Sequence, residues 1–95
     1  MVKLPIIRSM MSVPGIRERF IEKARDIPAD IILFDLEDSV ATADKARARE
    51  IVKEVLPNFP KRGRMVFVRP NDLTTGLLEE DLEAVVQPGL DGIHL

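Results

Sequence analysis

Cysteine is missing from all 95 residues. That removes a disulfide framework and a thiolate zinc site, and leaves the redox compartment open, with a cytosolic setting compatible. A surplus of either charge is missing too: 14 basic residues stand against 16 acidic ones, interspersed, for a formal charge of -2. No basic face for nucleic acid or for an acidic lipid surface is implied by that balance. Met1 to Arg8 hold no apolar stretch long enough for a signal peptide or a membrane span. Also lacking are a Gly-rich phosphate cradle, a zinc signature and a nucleophile elbow. No low-complexity segment or composition shift marks a linker, so residues 1–95 are expected to form a single domain unit. What remains is a chain 45% hydrophobic, enough for one small core, expected in the cytoplasm.

The centre of the sequence is Ile31-Ile32-Leu33-Phe34-Asp35-Leu36-Glu37-Asp38. Four bulky apolar residues run directly into three carboxylates. An uninterrupted apolar run of this length, led in by Pro28 and Asp30, predicts a strand buried on both faces, as in a parallel sheet covered by helices. The acids then fall at its carboxyl end, where α/β proteins gather their chemistry. A plainer reading is that Asp35 ends the strand and that Asp38 or Ser39 caps the next segment.

The flanking segments repeat the pattern. Leu4 to Val13 is a first strand stopped by Pro14-Gly15. Ile16, Phe20, Ile21 and Ala24 recur at helical spacing, with charged residues on the other side. Thr42 is placed to cap a second helix whose Ala48, Ile51, Val52, Val55 and Leu56 share a face until Pro57. Asn58 to Arg64 predicts a loop and Met65 to Val68 a third strand, with Arg69 directly after it. Leu77, Leu78, Leu82, Val85 and Val86 mark a third helix, and Gly92 to Leu95 a fourth apolar segment. Two architectures accept this alternation: a small open doubly wound sheet, or the amino-terminal half of a (β/α)8 barrel, whose full form takes about 250 residues. The end of the chain at its fourth strand favours the half barrel, about four parallel strands and three helices.

In such a sheet Ser12 and Pro14, the acids Asp35 to Asp38, and Arg69 with Asn71 arrive at one edge. A guanidinium facing carboxylates there suits an anionic substrate bridged to a metal. The structural alternative is an internal salt bridge between Arg69 and Asp35 or Glu37. His94 is expected to be a packing residue with a satisfied hydrogen bond, and Met10-Met11 to fill the core.

Arg8-Ser9, Val13-Pro14-Gly15, Arg17 and Ile21-Glu22-Lys23-Ala24 resemble the opening of the citrate lyase beta-subunit-like proteins of the HpcH/HpaI aldolase and citrate lyase superfamily. Asp35-Leu36-Glu37-Asp38-Ser39-Val40 is similar to their second-strand signature, Lys45 with Ala48-Arg49 to their next helix, and Val68-Arg69-Pro70-Asn71 to the third strand. Asp81-Leu82 and Pro88-Gly89-Leu90-Asp91-Gly92 resemble the approach to the fourth. The resemblance implies a magnesium-dependent carbon–carbon lyase on a (β/α)8 barrel, acting on a CoA or acyl-carrier thioester of a short hydroxy acid such as citryl, malyl or citramalyl, and assembled as a trimer or hexamer. By the same resemblance Arg69 binds and polarises substrate oxygens. Glu37 and Asp38 take part in catalysis, holding metal-bound water or moving a proton. Arg17 contacts CoA phosphate, and Lys45 and Arg49 support the acidic cluster.

The family's direct magnesium ligands lie on later strands, so no metal ligand is assigned in this chain, which alone is expected to be inactive, truncated and prone to self-association. Ile16 stands where the family carries Asn, and Pro70 where it carries an aliphatic residue. Two other readings stay open. One is a stand-alone α/β binding or interaction module without catalysis. The other is an HpcH/HpaI-type aldolase, against which Glu37-Asp38 in place of Glu-His argues.

Overall fold

The computed structural model of the protein describes residues 9–94. Four strands, β1 (Met10–Pro14), β2 (Ile31–Asp35), β3 (Met65–Arg69) and β4 (Gly92–Ile93), alternate with three helices, α1 (Glu18–Ala24), α2 (Lys45–Val55) and α3 (Leu78–Val85). The strands form one sheet in the order β1-β2-β3-β4, every neighbouring pair parallel. Sequential parallel strands joined by helical crossovers make this the amino-terminal part of a (β/α)8-type barrel domain. Leu4 to Arg8 of the expected first strand, and Leu95 of the fourth, lie outside the described residues.

The apolar run of β2 is buried along its whole length. Period-two alternation divides it between two faces. Ile32 and Phe34, with Val13, Val66 and Val68 of the flanking strands, pack against Ile21, Ala24, Ala48, Val52 and Val85 of the helices. Ile31 and Leu33 are buried on the opposite face, outside that core. Phe34 meets the ring of Phe59 edge to face at 5.1 Å between centroids. Gly15 is needed where the chain turns from β1 towards α1. Its N–H donates to the Asp35 carbonyl at 2.8 Å, and a Cβ there would sit 3.0 Å from that same oxygen and from side-chain carbons of Leu36 and Val52.

Several expectations need correction. Helix α1 begins at Glu18 and buries Ile21 and Ala24, while Phe20 is 48% exposed, because a helix of two turns lays only one narrow stripe against the sheet. Thr42 makes no side-chain cap; it opens a 3-10 turn over Thr42–Asp44 whose cap position is Ala41, and α2 starts at Lys45. Met10 and Met11 are exposed on the edge strand β1, and Val86 lies exposed beyond the end of α3. His94 is exposed as well, its N–H donating to the Val68 carbonyl, so it is not a packing residue.

At the amino-terminal edge of the sheet the expected polar loop contains a buried cation. Arg64 donates to the carbonyls of Ala24, Arg25, Ile27, Pro60 and Lys61 at 2.6–2.8 Å, and its guanidinium lies 5.4 Å from the Phe59 ring centre. It thereby supplies donors to the carbonyls of Ala24, Arg25 and Ile27 at and just beyond the end of α1.

Candidate active site

In-register pairing places Pro14, Asp35 and Arg69 side by side at the carboxyl end of the sheet. Asp35 is buried, and five hydrogen bonds converge on its two oxygens. Arg69 donates through Nε to Oδ1 at 2.9 Å and through Nη2 to Oδ2 at 2.8 Å. The Glu37 amide donates to Oδ1 at 2.9 Å; the Ser39 amide and hydroxyl donate to Oδ2 at 2.9 and 2.5 Å. Burial by itself pushes this carboxyl up, but the Arg69 fork, the Ser39 hydroxyl and the two amides outweigh it and hold the group well below the usual carboxylate range. The internal salt bridge weighed as an alternative is therefore present, with Asp35 as its anion. Ser39 caps no helix; it binds the carboxylate that ends β2.

The same bonds aim the neighbouring acids. With the Glu37 and Ser39 amides tied to Asp35, the loop curls over the strand tip. Asp38 Oδ2 comes within 3.6 Å of Arg69 Nη1, and Glu37 Oε1 within 4.0 Å of Nε. The Arg69 side chain is 26% exposed and that of Asp38 77%, so the outer side of this cluster faces water. Hydrogen bonding to Asp35 first, then the charges of Asp35, Asp38 and Glu37, stabilise the guanidinium against the cost of burial. Glu37, Asp38 and Arg69, named from the sequence as one site, are thus together.

A second chain of contacts fixes the cluster from behind. The Lys45 ammonium donates to the carbonyls of Leu36 (3.3 Å) and Glu37 (3.0 Å) and to Asn71 Oδ1 (2.5 Å). The Asn71 backbone and side-chain N–H groups both donate to Asp81 Oδ2, at 2.8 and 2.7 Å. Arg49 Nε closes on Asp81 Oδ1 at 2.8 Å, and Nη1 on Glu80 at 2.9 Å. Lys45 therefore does support the acid loop, whereas Arg49 reaches α3 and not the loop. Asp81 is fully buried, and sequence reasoning gave it no place in the site. The signal was available: position 81 lies on the apolar stripe between Leu78 and Val85, and a carboxylate on that stripe requires a buried partner.

Arg17 stands apart from these residues. It is exposed at the start of α1, on an open groove of about 560 Å³ lined by Ile16, Glu18, Arg19, Phe20, Lys23, Asp44 and Arg47 besides Arg17 itself. Four cations and two carboxylates line it, and Arg47 pairs with Glu18 at 3.2 Å. None of Glu37, Asp38 and Arg69 lines this groove. Among the described residues no group of three or more acidic or histidine side chains could hold a metal ion, and the oxygens of Asp35 already accept from Arg69, Glu37 and Ser39. No helix among them is long and apolar enough to cross a membrane.

Residues 8–95 match the model of the HpcH/HpaI aldolase/citrate lyase family. The chain is similar to a (3S)-malyl-CoA thioesterase of Cereibacter sphaeroides, 42% identical over 86 residues, covering 90% of this chain and 30% of that protein. It is also similar to the citrate lyase beta subunits of Leuconostoc mesenteroides and Escherichia coli, 40% and 41% identical over 88 residues, covering 93% of this chain and 29% of each. The chain thus spans less than a third of the length of the curated relatives it matches.

Proposed function

This chain belongs to the HpcH/HpaI aldolase/citrate lyase family, and we propose on that footing that it supplies the first strands and one substrate-holding corner of a carbon–carbon lyase. The substrate class is a CoA or acyl-carrier thioester of a short hydroxy acid, such as citryl, malyl or citramalyl. The observation that carries this reading is the Arg69 guanidinium at the strand tips: two of its nitrogens are held by Asp35, and the third, Nη1, lies on the side shared with Asp38. A pre-aimed guanidinium of this kind suits a carboxylate or carbonyl oxygen.

In the cleavage direction the substrate hydroxyl loses its proton and becomes a carbonyl. The electron pair of the breaking carbon–carbon bond passes to the thioester fragment as an enolate, which is then protonated. Arg69 would bind the acid and stabilise charge on its oxygen. Glu37 or Asp38, near enough to share a ligand with Arg69, would take or return the hydroxyl proton. The basic groove with Phe20 on its wall would receive the CoA phosphates, Arg17 among its cations. Magnesium supplies Lewis-acid chemistry in this reading, but the described residues do not fit it as direct ligands, and its carboxylates are proposed to come from other strands of a complete barrel. In such a barrel those strands would follow β4, and the complete barrels are proposed to assemble as a trimer or hexamer.

Calorimetric titration of malyl-CoA and citryl-CoA into the assembled enzyme, with and without magnesium, tests the reading. Binding that Arg69→Lys weakens by about tenfold or more, equivalent to ~1.4 kcal/mol, is the expected result. Absence of binding for both thioesters would sink it. Binding indifferent to Arg69 would favour a binding module without catalysis.

A further inference from the structure

Lys45 occupies a position that helix energetics disfavour. It is the first residue of α2, where the positive end of the helix dipole repels a cation and an acid would be the stabilising choice. Its ammonium is nevertheless drawn inward, and all three of its donors are used, on the carbonyls of Leu36 and Glu37 and on the side-chain oxygen of Asn71. These acceptors belong to two different loops: Leu36 and Glu37 come directly after β2, and Asn71 comes two residues after β3. Asn71 cannot yield, because its amide is tied to the fully buried Asp81, itself held by Arg49.

We propose that Lys45 is a positioning residue: anchored by Asn71, Asp81 and Arg49, its ammonium sets the gap between Glu37 at the tip of β2 and Arg69 at the tip of β3. This rests on the lyase reading for its use, but not for its geometry. Asp35 ties the amides of Glu37 and Ser39 from one side, and Lys45 ties the Glu37 carbonyl from the other. With both ends of Glu37 held, its side chain is kept near Arg69 without a direct hydrogen bond, which leaves both groups able to share a ligand. A cation is required because one neutral donor could not serve three acceptors from two loops.

The test is amide hydrogen exchange on the full chain, read residue by residue for wild type, Lys45→Met and Lys45→Ala, the last with and without methylamine. Exchange at Glu37 and Ser39 should quicken at least tenfold in both variants, with Ile32 to Phe34 of β2 unchanged, and methylamine should slow it again in Lys45→Ala. Unchanged exchange at Glu37 and Ser39 would overturn the proposal. So would a uniform rise across β2 without rescue by the amine, which is the mark of a merely structural lysine. Where thioester turnover is measurable, kcat should fall with KM within about twofold. If wild type neither binds nor cleaves a thioester, the lyase reading fails while the exchange pattern still decides the role of Lys45.

Discussion

Two arginines bracket β3, and their surroundings differ in kind. Arg64 enters the strand from the amino edge, 7% exposed, with its bonds made to five neutral carbonyls. Arg69 leaves it at the carboxyl edge, its side chain 26% exposed, facing one buried carboxylate and two more exposed ones. A guanidinium has five N–H donors. At Arg64 five hydrogen bonds to protein oxygens use that capacity, so it closes the floor of the sheet and has nothing left for a ligand. At Arg69 only Nε and Nη2 make hydrogen bonds among the described residues. The same side chain is a structural clamp where its donors are saturated and a candidate binding group where they are not.

Exchanging each arginine for lysine separates these roles, because lysine keeps the charge and loses the fork. Arg69→Lys should lower thioester cleavage by the assembled enzyme about 10²–10³-fold, the usual effect of removing a donor aimed at developing charge. Arg64→Lys should leave the activity of the folded molecules unchanged and show itself instead as a lower midpoint in urea. Equal losses of activity in the two variants would erase the contrast.

Next in size, Asp35→Ala should destabilise the fold by roughly 3–5 kcal/mol, the cost of breaking a buried ion pair, measured by equilibrium urea unfolding. A loss under about 1 kcal/mol would mean that Asp35 is not the anchor of the strand tips. Gly15→Ala should cost about 1–3 kcal/mol, because the new methyl meets a carbonyl oxygen and two packed side chains at 3.0 Å; Gly63→Ala, strained by its positive φ but with open space around it, gives the comparison without a clash.

Acid supplies a graded version of the same comparison. The folded Asp35 carboxyl is held well below its ordinary value, so the unfolded chain takes up its proton first as pH falls. The stability Asp35 contributes is therefore complete above the unfolded carboxylate value of about 3.9 and declines as pH drops below it towards the depressed folded value. In Asp35→Asn the stability profile between about pH 5 and 2 should be flatter than in wild type. A wild-type slope carried unchanged into Asp35→Asn would assign the acid sensitivity to other carboxylates.

The smallest effect belongs to Phe20→Ala, which should shift stability by no more than about 0.5 kcal/mol because the ring is exposed, while weakening CoA binding at the groove beside Arg17.

Much of this was legible in the sequence. The apolar run of β2 reads as a strand of a covered parallel sheet, the periodic stripe of Ala48, Val52 and Leu56 as a helix face packed on it, and the order of units placed Glu37, Asp38 and Arg69 at one edge. Those features depend on periodicity and chain direction, which are local properties. The partners of the buried charges depend on which side chains converge from distant parts of the chain, and that only the tertiary structure decided. Arg64 looked like one more loop cation until the end of α1 left carbonyls beneath it. Asp81 stands on an apolar stripe that calls for a buried partner, but only the fold shows that Asn71, from the loop after β3, and Arg49 of α2 are those partners. Phe20 and Met10 looked like core because apolarity is read from the residue, whereas burial is set by how far a short helix or an edge strand reaches. Sequence period chose the elements; desolvation, which must be answered by specific donors and acceptors across the fold, chose which charges are structural and which remain open to a ligand.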